Sequence, residues 1–258
     1  MRQAVILAAG FGSRLARQKG ELKPLRQVGG SSLIQRNLLL LAAAGVKKVV
    51  IVVGHRGEEL AESVAVDAAK IDLEVVFAHN PEYQKSNGLS VLAARPHIDG
   101  NFLLLMADHI FDRAIVDLAV QKGAPVAGAT LCIDYKINLV FDIPDATKVV
   151  TDGQRVLEIG KELEHYNAID TGMFMCTPDL FDALEEAREN SHNDDCSLSN
   201  GVATLRTRGE MFVEDVGKAL WQDVDTELTL KHAERLLRRN LFDTNLGATA
   251  RAQFGAVG

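Results

Sequence analysis

Three cysteines in 258 residues are too few to frame a fold. Cys132, Cys176 and Cys196 are scattered, with no CxxC pair and no Cys/His cluster. An odd, dispersed set argues against a disulfide scaffold and a zinc site, and points to a reducing compartment. Long apolar runs are also missing. The longest, residues 38–46, falls far short of the roughly 20 residues that span a bilayer. The N-terminus has no signal-peptide core, because Gly10, Gly12 and Arg14 interrupt it. A cytoplasmic protein, not membrane-embedded, is therefore the expectation. No block of Lys and Arg occurs and the net charge is −7, which argues against a nucleic-acid partner. A phosphorylated ligand would need a local basic pocket on an acidic body. Internal repeats and interdomain linkers are lacking too.

What the chain does have is a core-forming composition, 47% hydrophobic and 24% charged, with length for one large α/β domain or two small ones. Apolar runs at 4–8, 49–53, 73–78 and 102–106 read as buried strands. Residues 32–44, 58–69, 87–95 and 115–121 read as helices by their apolar spacing. This alternation predicts a parallel sheet covered on both faces, with ligands outside the carboxyl ends of the strands. Beyond residue 125 the pattern changes. Strands are expected at 126–133, 168–176 and 211–216, a hairpin turning at Asp152-Gly153, and helices at 178–188 and 226–239. The Ala-, Gly- and Thr-rich residues after Asn240 are expected to fray.

The chain is organised by its first loop in one physical sense: a buried strand runs into Leu7-Ala8-Ala9-Gly10-Phe11-Gly12, then Arg14 and Lys23-Pro24-Leu25. Convergent backbone N–H groups in such a turn cradle phosphate oxygens, and Gly10 and Gly12 permit a tight turn and close approach of a ligand. Arg14 and Lys23 add positive charge. An ordinary strand–turn–helix corner is the alternative. A dinucleotide-binding dehydrogenase turn is not supported: Leu15 stands where a third glycine is needed, and the second strand exits through Gly54-His55-Arg56 with no acidic residue.

Asp108 ends a strand on the ligand side, where a carboxylate facing phosphate suits Mg²⁺; a helix-capping Asp is the alternative. Asp223 and Asp225 flank Val224, so alternation puts both on one face, either as a second metal carboxylate or as a cap cluster before Thr226. Asn87, Gly88 and Ser90 could read the edge of a base or simply cap a helix. Lys148 and Lys161 flank the hairpin and could hold phosphate or lie on the surface. Asp170, inside an apolar strand, needs a partner or a ligand. Among the histidines, His109 beside Asp108 is the one placed to matter.

The sequence from Leu7 to Leu15 with Lys23-Pro24-Leu25 closely resembles the signature of the nucleotidyltransferases that make NDP-sugars and CDP-alcohols. Within that superfamily the chain is most similar to the CTP:inositol-1-phosphate cytidylyltransferases, over nearly its whole length to about Arg239. The similarity is carried also by Asn87-Gly88-Leu89-Ser90, Ala107-Asp108-His109, Asp145-Ala-Thr-Lys148-Val, Ile159-Gly160-Lys161, Ile169-Asp170-Thr171-Gly172 and Trp221-Gln-Asp-Val-Asp225-Thr226. The resemblance implies a Rossmann-like α/β fold, a mixed, mainly parallel sheet with helices on both faces, of the glycosyltransferase-A-like type. It implies one nucleotidyltransferase domain over 1–240, nucleotide-binding in 1–125 and acceptor-binding in 126–240, with a flexible tail at 241–258. By the same likeness the turn from Leu7 through Ala8, Ala9, Gly10, Phe11 and Gly12 holds CTP, with Arg14 and Lys23 on its triphosphate. Asn87, Gly88 and Ser90 face cytosine and ribose. Asp108 and Asp225 hold Mg²⁺. Lys148, Lys161 and His109 bind the acceptor, a small phosphorylated alcohol, and Asp170 takes hydrogen bonds from its ring hydroxyls. Phosphocholine, 2-aminoethylphosphonate, or a sugar-1-phosphate with UTP or dTTP are the alternative substrates. A homodimer, and a CDP-alcohol phosphotransferase encoded separately for a following step, complete the implied partners. Residues 132–144 match nothing in that pattern.

Overall fold

The computed structural model describes residues 1–12, 20–239, 241 and 242. Arg14 and nearly all of the expected tail lie outside the described residues. The chain runs β1 (Gln3–Leu7), β2 (Gln27–Val28), β3 (Ser31–Ser32), α1 (Leu33–Ala43), β4 (Lys48–Val53), α2 (Gly57–Ala68), β5 (Glu74–His79) and α3 (Asn87–Ala94). It continues with β6 (Phe102–Met106), β7 (His109–Phe111), α4 (Arg113–Lys122), β8 (Ala129–Asp134), β9 (Lys148–Thr151), β10 (Val156–Gly160) and β11 (Ala168–Cys176). Then come α5 (Asp179–Glu189), α6 (Leu198–Thr207), β12 (Met211–Asp215), β13 (Trp221–Asp223) and α7 (Glu227–Arg238).

The period-2 geometry of the strands divides the core into two layers. Val5, Val50, Val52 and Leu104 point to one face and pack with Leu89, Leu180, Phe181 and Val202 of α3, α5 and α6. Their neighbours Ile6, Val49, Ile51, Leu103 and Leu105 point to the other and meet Leu38, Leu60 and Ile115 of α1, α2 and α4. Strands buried on both faces need no polar alternation, which is why β4 reads as an unbroken Val/Ile run. β6, β1, β4 and β5 are parallel neighbours in that order. Leu7 is level with Val52 and Met106, so three strands end together. Their exit segments share one edge of the sheet: the Gly10-Phe11-Gly12 turn, Gly54-His55-Arg56, and Ala107-Asp108.

β11 joins this parallel half to an antiparallel one. Phe174 pairs with Leu104 of β6 and with Leu131 of β8, and Ile169 pairs with Lys148 of β9 and with Asp134 of β8. One edge of β11 therefore lies along β8, and the other is shared between β9 and β6. Where β9 gives way to β6 the register slips between Asp170 and Phe174. Gly172 takes a φ of 79° there, and the strand bulges at the motif singled out in the sequence. β12 pairs parallel with β8. The mixed, mainly parallel sheet with helices on both faces is thus present.

The structure departs from the sequence expectation at the start of β8, in a second small sheet and at Phe242. The strand placed at 126–133 starts only at Ala129, and Val126 is fully exposed. Gly128, with a φ of 84°, turns the chain against Glu210 and delays entry into the sheet. A second, two-stranded sheet pairs β7 with β13. Beneath it Ile110, Val224, Leu230, Ala233 and Val28 form a third apolar cluster. Phe242, assigned to the tail by composition, is buried in that cluster at 4% exposure. Among the described residues no helix is long and apolar enough to cross a membrane.

Candidate active site

The glycine-rich turn is built against Lys23. A Cβ on Gly12, whose φ is 57°, would lie 2.6 Å from the Lys23 Cβ, so a side chain there would push the two apart. Ala8 N–H donates to Val52 O at 2.9 Å, and the Ala9 carbonyl accepts from His55 N–H at 3.0 Å, which pins the turn to β4. Leu7, Ala8, Gly10, Gly12, Lys23 and Asp108 line a pocket of about 340 Å³. Phe11 projects outward, 45% exposed.

Lys23 is the joint of the site. Its Nζ donates to Asp108 Oδ2 at 2.5 Å and to Asp225 Oδ1. Val224 N–H donates to Asp108 O at 2.9 Å, and Asp223 pairs with His109 in the small sheet, so the β7–β13 ladder carries the carboxylates of two distant segments to one ammonium. Val224 is fully buried between Asp223 and Asp225, and both acidic residues line the cleft, as the alternation implied. Burial by itself would lower the Lys23 pKa, but Asp108 and Asp225 hold it above the ordinary value. Burial would raise the Asp108 pKa; Lys23 and His109 instead hold it well below the carboxylate range. Removing one partner of this half-buried set leaves the remaining charges uncompensated.

A wider cleft of about 710 Å³, open to solvent, lies on the other side of this joint. Its wall includes His109, Asp145, Lys161, Asp170, Trp221, Asp223 and Asp225. The His109 Nδ1 is 2.7 Å from Asp108 Oδ1. The ring stacks on Trp221 at 5.9 Å and 8°, while Trp221 Nε1 donates to the buried Asp134 at 2.9 Å. Gly172 faces the same ring, and a Cβ there would lie 2.8 Å from it. Burial would lower the His109 pKa, but the Asp108 bond, with Asp223 and Asp170 near, raises it. Asp170 sits in the bulge and accepts Gly172 N–H at 2.7 Å. Burial pushes its pKa up to about 6, with Gly172 N–H and His109 offsetting part of that. Burial likewise raises Asp223.

Lys161 reaches the cleft and bonds Asp145 at 2.9 Å. Lys148 is buried, donates to the Lys161 carbonyl and stands 5.9 Å over the Tyr166 ring, outside the residues that line the cleft. Asn87 lines the cleft and accepts Leu198 N–H at 2.9 Å, tying α3 to α6. Gly88 is pressed against Cys196 and Ser197, where a Cβ would lie 2.4 Å from the Cys196 carbonyl oxygen. Ser90 is buried and accepts from Asn80 Nδ2 at 2.9 Å. Sequence reasoning assigned no role to Asp145, Trp221 or Asp134. The first two stand inside the quoted motifs; Asp134 had no signal.

Asp145, Asp223 and Asp225 offer oxygens within 4.8 Å of one another. Asp225 is common to this group and to the expected Asp108–Asp225 pair, with Lys23 between those two. The donor set is all carboxylate oxygen, which fits a hard divalent cation. It also answers a charge problem. Asp108, Asp145, Asp170, Asp223 and Asp225 stand against Lys23, Lys161 and His109, an acidic balance for a cleft that would take phosphate.

The family model described as "MobA-like NTP transferase domain" matches residues 4–190. The chain is 38% identical over 236 residues to a protein of Rubrobacter xylanophilus named "Bifunctional IPC transferase and DIPP synthase", covering 91% of this chain and 51% of the relative. It is 36% identical over 237 residues to a protein of Thermococcus kodakarensis with the same name, covering 92% of this chain and 51% of that one. The chain thus spans about half the length of these curated relatives. Among solved structures, the inositol-1-phosphate CTP transferase from T. maritima superposes with a TM-score of 0.82 at 26% identity, covering 96% of this chain and 97% of that one.

Proposed function

Because the chain belongs to the MobA-like NTP transferase domain family, we propose that it is a cytidylyltransferase that joins CTP and inositol-1-phosphate to give CDP-inositol and pyrophosphate. The observation that carries this reading is the meeting of two pockets at one joint. Lys23 and Asp108 line the pocket at Gly10 and Gly12, Asp225 lines the wider cleft, and the Lys23 ammonium bridges the two carboxylates. A nucleotide on one side and a phosphorylated acceptor on the other would present their reacting phosphates to the same charges.

An oxygen of the acceptor phosphate attacks the α-phosphorus of CTP. A new P–O bond forms, the bond from the α-phosphorus to the bridging β-phosphate oxygen breaks, and pyrophosphate leaves with that electron pair. The nucleophile is ionised at neutral pH, so no general base is needed. The barrier is repulsion between anions and charge building on the leaving group, and positioning with electrostatics lowers it. Lys23, held charged by its two carboxylates, serves the triphosphate, and Arg14 is assigned to the same group from the sequence. Asp225, with Asp145 and Asp223 beside it, would hold Mg²⁺, and Asp108, which shares Lys23 with Asp225, is assigned to the same ion from the sequence. Bound there, the ion supplies neutralising charge to phosphate oxygens.

Lys161 holds the acceptor phosphate. Asp170 accepts hydrogen bonds from the ring hydroxyls, and Lys148 braces the Lys161 segment from behind through its carbonyl. The names of the relatives and of the T. maritima structure favour this acceptor over phosphocholine or a phosphonate. Pyrophosphate release across CTP, UTP and dTTP, each with inositol-1-phosphate, phosphocholine, 2-aminoethylphosphonate and glucose-1-phosphate, tests the proposal. Turnover with CTP and inositol-1-phosphate is expected; turnover restricted to a sugar phosphate and UTP would refute it.

A further inference from the structure

Arg56 occupies a backbone conformation that is costly for it. With φ at 50° and ψ at 40° it lies in the left-handed region, which glycine enters freely and arginine does not. A residue kept in such a place points to a use for its side chain. Arg56 Nη1 donates to the Gly20 carbonyl at 2.7 Å, a contact between residues 36 positions apart. Nε and Nη2 fork onto Glu59, on the first turn of α2, at 2.8 and 2.6 Å. The fork fixes the plane of the guanidinium and so aims Nη1.

The rest of this corner grips the other shoulder of the same loop. His55 N–H bonds the Ala9 carbonyl at 3.0 Å. The Phe11 ring packs 4.9 Å from the His55 ring and 5.3 Å from Tyr83. Gly54 leaves no space for a side chain, since a Cβ would lie 2.4 Å from Tyr83 Cβ and 2.8 Å from the Ala9 carbonyl oxygen. Gly54-His55-Arg56 therefore holds the chain at Ala9 and Phe11 on one side and at Gly20 on the other. Gly20 stands three residues before Lys23, and Lys23 packs on Gly12.

We infer that Arg56 is a positioning residue for the nucleotide pocket. By clamping Gly20 to the β4–α2 corner it sets the separation between the glycine turn and the Lys23 ammonium. It touches none of the proposed reacting groups and acts through Gly20. The inference rests on the reading of the glycine turn as the nucleotide site.

Arg56→Gly separates this role from a merely structural one, because it removes the guanidinium while relieving the left-handed backbone. Thermal stability should hold or rise. Amide exchange across residues 20–25, read by mass spectrometry on the ligand-free chain, should speed up about tenfold, the equivalent of one charge-assisted hydrogen bond. In turnover, KM for CTP should rise by about the same factor, with KM for the acceptor unchanged. Arg56→Lys, which can reach Gly20 but cannot fork onto Glu59, should fall between the two. Unaltered exchange at residues 20–25 in Arg56→Gly overturns the inference whatever the substrates prove to be, and so does an equal rise in both KM values. A wild-type chain that turns over no nucleotide overturns the functional reading instead, and the exchange measurement still decides the role of Arg56.

Discussion

Replacing Asp170 by Asn separates what the cleft needs for folding from what it needs for binding. Burial raises the Asp170 pKa from 3.8 to about 6, so above that pH a carboxylate is held where the fold disfavours it. The folded chain then binds this proton more tightly than the unfolded chain. Stability contributed by the protonated group is present at low pH and is lost as pH rises through about 6. The shift corresponds to roughly 3 kcal/mol, and water in the open cleft screens part of it, leaving an effect on the order of 1–3 kcal/mol. Asn keeps an oxygen for Gly172 N–H and never ionises. Urea unfolding of ligand-free wild type and Asp170→Asn should therefore coincide near pH 4 and diverge in favour of the variant by pH 8. At this chain length that is a Tm gain of a few degrees up to about 12 °C. Acceptor affinity should move the opposite way. KM for inositol-1-phosphate should rise far more than KM for CTP, and in the wild type it should rise as pH falls below about 6. A stability difference that does not change with pH would refute the burial argument, and equal effects on both KM values would refute the acceptor role.

Asp108→Ala should lower CTP-dependent pyrophosphate release by a factor on the order of 10²–10³ or more, with the circular dichroism spectrum retained; turnover like the wild type would sink its assignment to the metal. A chelator should abolish the same activity and added Mg²⁺ restore it; chelator-insensitive turnover would count against the carboxylate site. Gly172→Ala puts a methyl 2.8 Å from the His109 ring at a φ of 79°, so thermal melts should show a loss of about 1–3 kcal/mol. Trp221 is the chain's single tryptophan and lies on the cleft wall against His109, so titration with the acceptor should change its emission, and a flat titration under conditions of turnover would place the acceptor elsewhere.

How much of the fold and the site was legible in the sequence depends on the range of the interactions. β4 and β6 announce themselves, because strands buried on both faces must be apolar throughout. The glycine turn is legible because Gly12 has no room for a side chain against Lys23. The alternation of Asp223 and Asp225 about a buried Val224 was readable as well, since it is a local property of an extended segment. What escaped are pairings between distant segments. β7 and β13 are three residues each, too short to carry a period, yet their ladder delivers Asp223 beside His109. Asn87 is recruited by Leu198 across 111 residues. Trp221 depends on Asp134, 87 residues away. Lys148 and Lys161 look alike in the sequence; only the turn of the β9–β10 hairpin sends one ammonium to a backbone carbonyl and the other to the cleft. Arg56 looks like any surface arginine until its backbone angle is seen.

In the proposed reaction the two pockets joined through Lys23 hold CTP and inositol-1-phosphate for a single transfer. Phosphorus NMR of the chain with both substrates and Mg²⁺ tests it most directly. Equal amounts of pyrophosphate and a CDP-inositol diphosphate signal are expected, both growing as CTP is consumed. Consumption of CTP to CMP and pyrophosphate without that diphosphate, or no consumption of CTP where UTP and glucose-1-phosphate react, would contradict it.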